Sequence, residues 1–292
     1  MLKIKQKPNT VRSSLAKRNV QKFMKNRMAV VGLVGLFIIV GACVCAPLLT
    51  PYDPSFINIR EANLPMSWKH PFGTDRLGRD MFARILYGGR WSLFLGVTAS
   101  FGANILAAIL GCIAGYFGGK ADKTIVTIQE FMSVFPTILI IMLVTSVSGR
   151  SVTLMLTLWI LTGWTSTMRV IRSRILSLKQ EPFVESCKAN GISSFSIMFH
   201  HMVPNTLGPI IINCTMNIAG YILAESSLSF LGLGLPPEVA TWGNILNGVK
   251  RMDTLLTEPV LWLAPGLAIL FFTLFISYVG DGLRDALDPT AR

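Results

Sequence analysis

Six apolar segments, each near the roughly 20 residues that a membrane-spanning helix needs, dominate this 292-residue chain and constrain its fold. The fourth segment is short, and Glu130 interrupts the third near its start. The predicted spans are residues 28–49, 91–115, 124–148, 152–168, 205–225 and 259–280. Only 14% of the residues are charged, against about 25% in a soluble domain. The sequence therefore predicts an all-α, polytopic membrane protein with six transmembrane helices.

The positions of Lys and Arg predict how these helices are oriented. Nine of the 27 basic residues, and no acidic residue, lie in residues 1–27, directly before the first apolar segment. With six crossings and a cytoplasmic N-terminus, the cytoplasmic segments hold 18 Lys and Arg and the outer segments hold nine. Because positive charge is retained in the cytoplasm, we expect both termini to be cytoplasmic. The chain then consists of a basic N-terminal segment, 1–27, and one transmembrane domain, 28–292.

The net charge of +12 does not by itself indicate a nucleic-acid-binding protein. Such a protein carries an aromatic and basic surface or a recognisable binding motif, and neither accompanies the charge here. We therefore expect no nucleic-acid partner. The five cysteines show no CxxC spacing and lie mostly in apolar segments, where we expect them to act as small packing residues.

Motifs for catalysis or for metal binding are missing from the sequence. Gly118-Gly119-Lys120 resembles part of a phosphate-binding loop, but Ala114 and Ala121 occupy the positions that require Gly and Ser or Thr. Neither HExxH nor GxSxG occurs. We therefore expect no catalytic residue, no metal site and no cofactor bound by this chain, and no enzymatic activity of its own.

Four polar residues within the apolar segments are candidates for lining a translocation path: Asn104, Asn213, Asn217 and Glu225. Polar groups inside a membrane are costly and often mark a route for substrate. The alternative for the asparagines is hydrogen bonding between helices. Glu225 lies 20 residues after Asn205, about 30 Å along a helix. The alternative for this carboxylate is therefore solvation at the outer membrane boundary.

Small residues recur at every fourth position of the second apolar segment. They are Ala99, Ala103, Ala107, Gly111 and Gly115. Small side chains at this spacing allow helices to approach closely, so we interpret them as a helix-packing stripe. The alternative is that the stripe lines a path.

The 181–205 segment, EPFVESCKANGISSFSIMFHHMVPN, is polar and lies between the fourth and fifth apolar segments. Pro182 favours a helix start, Gly191 favours a helix end, and Pro204 is expected to end a second short helix. The sequence therefore predicts two short helices joined by a glycine turn. In a membrane protein with little mass in water, we interpret such a segment as a cytoplasmic docking surface.

This segment resembles the EAA loop of ATP-binding-cassette (ABC) importer permeases. Ser186 and Cys187 stand where alanines are usual, a departure confined to small residues. The resemblance implies that the cytoplasmic loop 169–204 contacts an ATPase subunit. The residues implied to couple the two proteins are Glu185, Ser186, Cys187, Ala189, Gly191, His201, Pro204 and Asn205.

Other stretches resemble one branch of that family, the permeases for dipeptides, oligopeptides and nickel. They are PFGTDRLGRDMFARILYGGRWSL at 71–93, ESSLSFLGLGLPPEVATWG at 225–243 and GDGLRDALDPTAR at 280–292, together with KNRMAVVGL and APLLTPYDP at the two ends of the first span. Together these stretches cover nearly the whole chain, and their order along it is similar to that in the second of the family's two permease subunit types.

The resemblance implies a type I ABC importer permease fold in the cytoplasmic membrane of a bacterium. It also implies three kinds of partner besides the lipid bilayer. A homologous permease would complete a heterodimer, two cytoplasmic ATPase subunits would bind ATP and Mg, and an extracytoplasmic protein would bind substrate. The substrates carried in this family are small peptides, nickel and metal-chelate complexes, and the sequence does not choose between them.

Two other classes of function remain open from the residues alone. A secondary transporter or channel would work without an ATPase, but neither paired charged residues in mid-membrane nor an internal repeat is visible. An intramembrane enzyme would need a nucleophile and a base, for which the sequence offers no candidate pair. Transport driven by a separate ATPase is therefore the leading hypothesis.

Overall fold

A computed structural model describes residues 8–249 and 256–287 of the chain, with side chains from residue 17 onwards. Within these ranges every regular element is helical, apart from one isolated β-bridge between Thr74 and Asp80. The prediction of an all-α fold is confirmed. The first residues of the basic segment, the 250–255 stretch and the tail at 288–292 lie outside the described residues.

The helices follow one another along the chain with short connections, except for a long loop after the first apolar helix. A 3₁₀ turn, Ile59–Glu61, lies in that loop, and a six-residue π-helical turn, Ile197–Met202, directly precedes the helix that begins at Val203. The helices are α1 (Pro8–Lys25), α2 (Arg27–Val44), α3 (Ala46–Leu49), α4 (Met81–Phe117), α5 (Gly119–Val134), α6 (Thr137–Ser148), α7 (Val152–Gly163), α8 (Thr165–Leu178), α9 (Pro182–Ala189), α10 (Ser194–Ser196), α11 (Val203–Phe230), α12 (Trp242–Gly248) and α13 (Val260–Leu287).

Five helical stretches of the described chain are long and apolar enough to cross a membrane. They are Arg27–Val44, Met81–Phe117, Val152–Leu178, Ser194–Phe230 and Val260–Leu287. A sixth crossing exists if α5 and α6 together form one broken span, since these two helices are bent by 78° relative to each other. The sequence predicted one span at residues 124–148, and the structure divides it into two helices.

The break between α5 and α6 falls at Phe135 and Pro136. Phe135 has an extended conformation, with φ −91° and ψ 131°, because the ring of a following proline disfavours helical geometry. Pro136 then takes the N-cap position of α6. A prediction from apolar length alone does not detect this break, although the proline signals it.

α4 is much longer than its predicted span. It begins at Met81, ten residues before that span, because Asp80 caps its N-terminus. The Asp80 Oδ1 atom accepts a hydrogen bond of 2.6 Å from the Ala83 backbone N–H. Arg84, in the first turns, is buried and donates to the Pro54 carbonyl oxygen at 3.1 Å. A prediction based on apolar length missed this N-terminal part of α4, because it contains charged residues.

α4 lies at the centre of the bundle, where it packs against α2, α7, α8 and α11. The alanines of its small-residue stripe are fully buried. A Cβ atom added to Gly111 would lie 3.0 Å from the Ile171 Cβ, and one added to Gly115 would lie 2.8 Å from the Ile175 Cβ. The stripe therefore lets α8 approach α4 closely, which supports the packing interpretation.

Three buried apolar clusters follow α4 from one end to the other. The first surrounds Trp242 at the N-terminal end of α4, and the second surrounds Trp159 near its middle. The third includes Tyr116 and Ile171 at the C-terminal end. The 50–80 loop and α12 lie at the first end of α4, and the 181–205 segment lies at the other.

Candidate functional site

The 181–205 segment begins with α9, which supplies its rigid part. Pro182 lies in the first turn of α9, where its missing N–H removes no helical hydrogen bond. The helix ends at Ala189, and Gly191 makes the turn after it with a φ of +72°, the left-handed conformation that glycine adopts without strain. The Ile192 N–H then donates to the Cys187 carbonyl oxygen at 3.1 Å. This bond satisfies one of the carbonyl groups that have no partner within the last turn of the helix. The predicted helix and glycine turn are thus present.

The second half of the segment differs from the prediction of a separate short helix. α10 continues through the π-helical turn directly into α11, so that one helical stretch runs from Ser194 to Phe230. Pro204 lies inside this continuous stretch, two residues after the π-helical turn. The prediction that Pro204 ends a helix was therefore wrong.

One face of the segment packs into the core of the bundle. Its buried side chains are Val184, Ile197, Met198 and Met202. They belong to the same apolar cluster as Tyr116 of α4 and Ile171 of α8. Because close-packed interiors transmit strain, a displacement of this segment is expected to move α4 and α8 with it.

The predicted coupling residues lie on the other face of the segment. Cys187 and His201 are half-buried. The remaining six are exposed, namely Glu185, Ser186, Ala189, Gly191, Pro204 and Asn205. All eight are therefore at or near the surface, where another protein can reach them.

Short hydrogen bonds stiffen this exposed face. The Ser186 hydroxyl donates to the Pro182 carbonyl oxygen at 3.0 Å, and the Asn190 amide donates to the Ser186 carbonyl oxygen at 2.7 Å. The Asn205 amide donates to the His201 carbonyl oxygen at 2.6 Å. Each bond closes within the segment, so the backbone shape of the exposed face does not depend on a partner.

An apolar patch on the same segment, formed by Phe183, Ile192, Phe195 and Phe199, was not predicted from the sequence. All four side chains are at least 36% exposed, and Phe195 is 67% exposed. The rings of Phe195 and Phe199 lie 4.4 Å apart between centroids. Two phenylalanines four residues apart, which places them on one helical face, were the available signal. Exposed aromatic side chains of this kind are typical of protein–protein interfaces.

An ion pair joins α5 to α8 beside this end of the bundle. The Arg172 guanidinium donates from Nε to Asp122 Oδ1 at 2.5 Å and from Nη2 to Asp122 Oδ2 at 2.6 Å. This two-point geometry holds the planar groups in one orientation. The residues are 50 positions apart, so no helical spacing in the sequence indicates the pair.

A hydroxyl-lined cleft of about 370 Å³ lies between α6, α7, α8 and α11. Among the described residues, no charged side chain lines it, and none pairs with the buried indole Nε1 of Trp159. The polar side chains along its wall are Thr137, Thr162, Thr165, Ser166, Asn217 and Tyr221. The cleft offers neutral hydrogen-bonding groups on an apolar background, an arrangement typical of small-molecule sites.

The predicted path residues do not form one group. Asn217 lines the cleft, and its Nδ2 lies 3.5 Å from the Thr167 hydroxyl. Asn104 is buried on α4, and its Nδ2 donates to the Ser100 carbonyl oxygen at 2.8 Å within the same helix. Asn213 is half-buried on α11, outside the cleft lining. The hydroxyl groups of the cleft were not predicted from the sequence, because Ser and Thr in apolar helices usually bond to their own backbone.

Glu225 is buried, so the alternative interpretation, in which water at the outer membrane boundary solvates its carboxylate, was wrong. Its side chain is 1% exposed, and Oε1 accepts hydrogen bonds from the Ser229 hydroxyl at 2.6 Å and the Thr241 hydroxyl at 2.7 Å. Thr241 also caps α12 by accepting from the Asn244 N–H at 3.1 Å. The loop after α11 folds back over the helix end, and Glu225 joins the two elements inside the chain.

The 50–80 loop is held together by polar contacts at the N-terminal end of α4. His70 is buried, and its Nδ1 lies 2.8 Å from Oδ2 of Asp80, the residue that caps α4. Lys69 pairs with Glu61, and its ammonium group holds the pKa of the Glu61 carboxyl below the usual value. The sequence signature at 71–93 marked this region without indicating these contacts.

Comparisons with known proteins bear on what this arrangement does. Residues 107–292 match the family described as binding-protein-dependent transport system inner membrane component. Residues 14–65 match the N-terminal transmembrane domain of oligopeptide transport permease C. The first match covers the cleft and the 181–205 segment, and the second covers α2 and part of the 50–80 loop.

Individual relatives align with nearly the whole chain. A putative peptide permease protein of Brucella suis is 36% identical over 275 residues, which are 94% of this chain and 91% of the relative. The oligopeptide transport system permease protein OppC of Bacillus subtilis is 34% identical over 96% of this chain and 91% of its own length. The dipeptide transport system permease protein DppC of Alkalihalophilus pseudofirmus is 37% identical over 93% and 89%.

Proposed function

Since the chain belongs to the family of binding-protein-dependent transport system inner membrane components, we propose that it is one permease subunit of an ABC importer for small peptides. The names of its relatives, which are peptide, oligopeptide and dipeptide permeases, support the peptide substrate. The observation that carries the proposal is the 181–205 segment, with one face packed in the core and the other exposed and partly aromatic.

In this proposal α5 and α6 form one broken span, so that the chain crosses the cytoplasmic membrane of a bacterium six times. The excess of Lys and Arg in residues 1–27 and in the segments on the same side supports cytoplasmic termini. The 181–205 segment is then also cytoplasmic, where an ATPase subunit reaches it.

The segment transmits the motion of the ATPase to the spans. Two ATPase subunits bind ATP and Mg and close on each other, and the apolar patch around Phe195 stays seated in one of them. α9 moves as a rigid body because its backbone is closed by its own hydrogen bonds. Val184 and Met198, buried against α8 and α4, carry the displacement into the bundle.

A homologous permease completes the translocation path, and an extracytoplasmic binding protein delivers the substrate. The hydroxyl-lined cleft supports peptides as the substrate class. All peptides share backbone N–H and C=O groups, and the neutral hydroxyl and amide groups of Thr162, Ser166 and Asn217 match those groups whatever the peptide side chains. An uncharged wall also avoids binding peptides of one charge so tightly that they are not released.

Reconstituted transport tests the proposal. The chain is co-purified with its partner permease and ATPase subunits, placed in proteoliposomes, and supplied with the binding protein and labelled di- to pentapeptides. We expect peptide uptake that requires ATP on the ATPase side. Uptake by this chain alone, driven by an ion gradient, would identify a secondary transporter and overturn the proposal. ATP-driven uptake of Ni²⁺ or a metal chelate without peptide uptake would contradict the peptide substrate alone.

A further inference from the structure

The end of α1 carries a surface that the transport function does not use. α1 ends at Lys25, and only Asn26 separates it from Arg27, the first residue of the apolar helix α2. Asn26 breaks the helix with an extended backbone and caps α2, since its Oδ1 accepts from the Ala29 N–H at 3.2 Å. The last turn of α1 therefore lies within one residue of the point where the chain enters the membrane.

Contacts with α13 hold α1 at this level. A Cβ atom added to Gly282 of α13 would lie 3.0 Å from the Phe23 ring, and the Asn26 amide donates to Asp285 of α13 at 3.1 Å. α13 has 28 residues, or about 42 Å of helix, more than the roughly 30 Å of an apolar membrane layer. Its charged last turns, with Asp281 and Asp285, accordingly lie in the headgroup region, and α1 packs against them.

The side of α1 that faces away from α13 is amphipathic. Val20 and Met24 are 62% and 56% exposed, and a spacing of four places them on one helical face. Arg18 and Lys25 are exposed on the adjoining face, and Lys17, three residues before Val20, is exposed on the same face as Val20. Large apolar side chains beside a row of cations, on a helix of low overall hydrophobicity, are typical of helices that lie in the membrane interface.

We propose that α1 is an interfacial helix that binds anionic phospholipid headgroups through Lys17, Arg18 and Lys25 while Val20 and Met24 enter the boundary of the acyl chains. Charge complementarity selects this occupant, because residues 1–27 contain nine cations and no acid. Each cation near an anionic surface strengthens binding, by an amount that falls with salt. The proposal rests on the membrane position of α2 and is independent of ATP-driven transport.

Native mass spectrometry of the full chain, purified from equal amounts of phosphatidylglycerol and phosphatidylcholine, tests this proposal. We expect wild type to retain phosphatidylglycerol preferentially. In the K17Q/R18Q/K25Q variant, the ratio of retained phosphatidylglycerol to phosphatidylcholine should be at least about fivefold lower. The matched control R60Q/K120Q/R150Q removes three exposed cations elsewhere and is expected to keep the wild-type ratio. A gel-filtration profile identical to wild type verifies the fold of each variant.

Two results would overturn the proposal. One is an equal preference for phosphatidylglycerol in wild type and in K17Q/R18Q/K25Q. The other is a variant that keeps the lipid preference but no longer co-purifies with the ATPase subunits, which would assign the basic surface of α1 to an acidic protein partner. A photo-crosslinker at Val20 separates these outcomes further, because we expect adducts with lipid and not with protein.

Discussion

The two ends of α4 are surrounded by segments that are held in place by different kinds of contact. At the N-terminal end, the 50–80 loop and α12 are closed by contacts within the chain, such as His70 with Asp80 and Trp242 Nε1 with the Ile85 carbonyl oxygen at 3.0 Å. At the C-terminal end, the 181–205 segment is fixed by buried apolar side chains and leaves Phe195 exposed. The described contacts at the first end are largely polar and join parts of the chain to one another, whereas the second end combines apolar packing with an exposed aromatic surface.

Binding a partner and closing the chain on itself require different chemistry. Buried polar contacts specify one arrangement, because leaving such groups unpaired is costly. An apolar patch on a rigid helix binds and releases a partner protein without changing the structure of that helix. A subunit must keep its fold while a partner protein moves it. Placing the buried polar contacts and the exposed apolar patch at opposite ends of α4 serves both needs.

The largest expected effect is at the closed end. Trp242 is 1% exposed, so Trp242→Ala should leave a cavity and lower the free energy of unfolding by about 3–5 kcal/mol. Trp68→Ala is the matched control in the same region, because Trp68 is fully exposed. Denaturation in detergent measures both. Equal stability of the two variants would contradict the idea that this end is sealed by its own core.

The Glu225 carboxylate is the next test of that end. Glu225→Ala leaves the Ser229 and Thr241 hydroxyls unpaired in a buried site, at a cost of about 1–3 kcal/mol. Glu225→Gln keeps an acceptor oxygen and should cost less. Glu130→Ala, at an exposed position, is expected to have no effect on stability. If all three variants denature like wild type, Glu225 does not join α11 to α12.

The cleft between the two ends is tested by transport, since its residues are proposed to contact the peptide. Asn217→Leu removes a polar group from the cleft wall and should lower peptide uptake about tenfold without loss of stability. Asn213→Leu is the matched control on the same helix, outside the cleft lining. The same loss of uptake in both variants would mean that the cleft is not part of the path.

The smallest expected effect is the pH dependence of the Glu61–Lys69 pair. The pKa of Glu61 is lowered in the folded state by its hydrogen bond to Lys69, so the pair stabilises the fold above the unfolded pKa of Glu61. That contribution is lost as the pH falls through the lowered pKa. Thermal denaturation of wild type and Lys69→Met should therefore differ slightly at pH 7 and converge in acid. A difference that grows in acid would contradict this assignment.

Much of the fold could be predicted from the sequence because apolar length and proline or glycine position act locally. The all-α architecture and the turn at Gly191 follow from such local signals. The extension of α4 to Met81 does not, since its cap and the buried Arg84 depend on the 50–80 loop. Pro204 misled the prediction because the π-helical turn before it was not foreseen.

The site was less predictable, since its decisive contacts join distant parts of the chain. Glu225 meets Thr241, which is 16 residues away in a loop, and Asp122 meets Arg172 from another helix. The cleft depends on how four helices meet, which no single segment encodes. The exposure of Phe195 was also hidden, because an apolar residue in a sequence does not reveal which side it faces.

Affinity between this subunit and its ATPase partner tests the central claim most directly. The purified permease pair, containing wild type or F195D/F199D, is titrated with the ATPase subunit in detergent, and Phe56→Asp, at an exposed phenylalanine of the 50–80 loop, serves as the matched control. We predict that F195D/F199D weakens binding at least about tenfold, while Phe56→Asp binds like wild type. Unchanged affinity of F195D/F199D would contradict the assignment of the 181–205 segment as the docking surface.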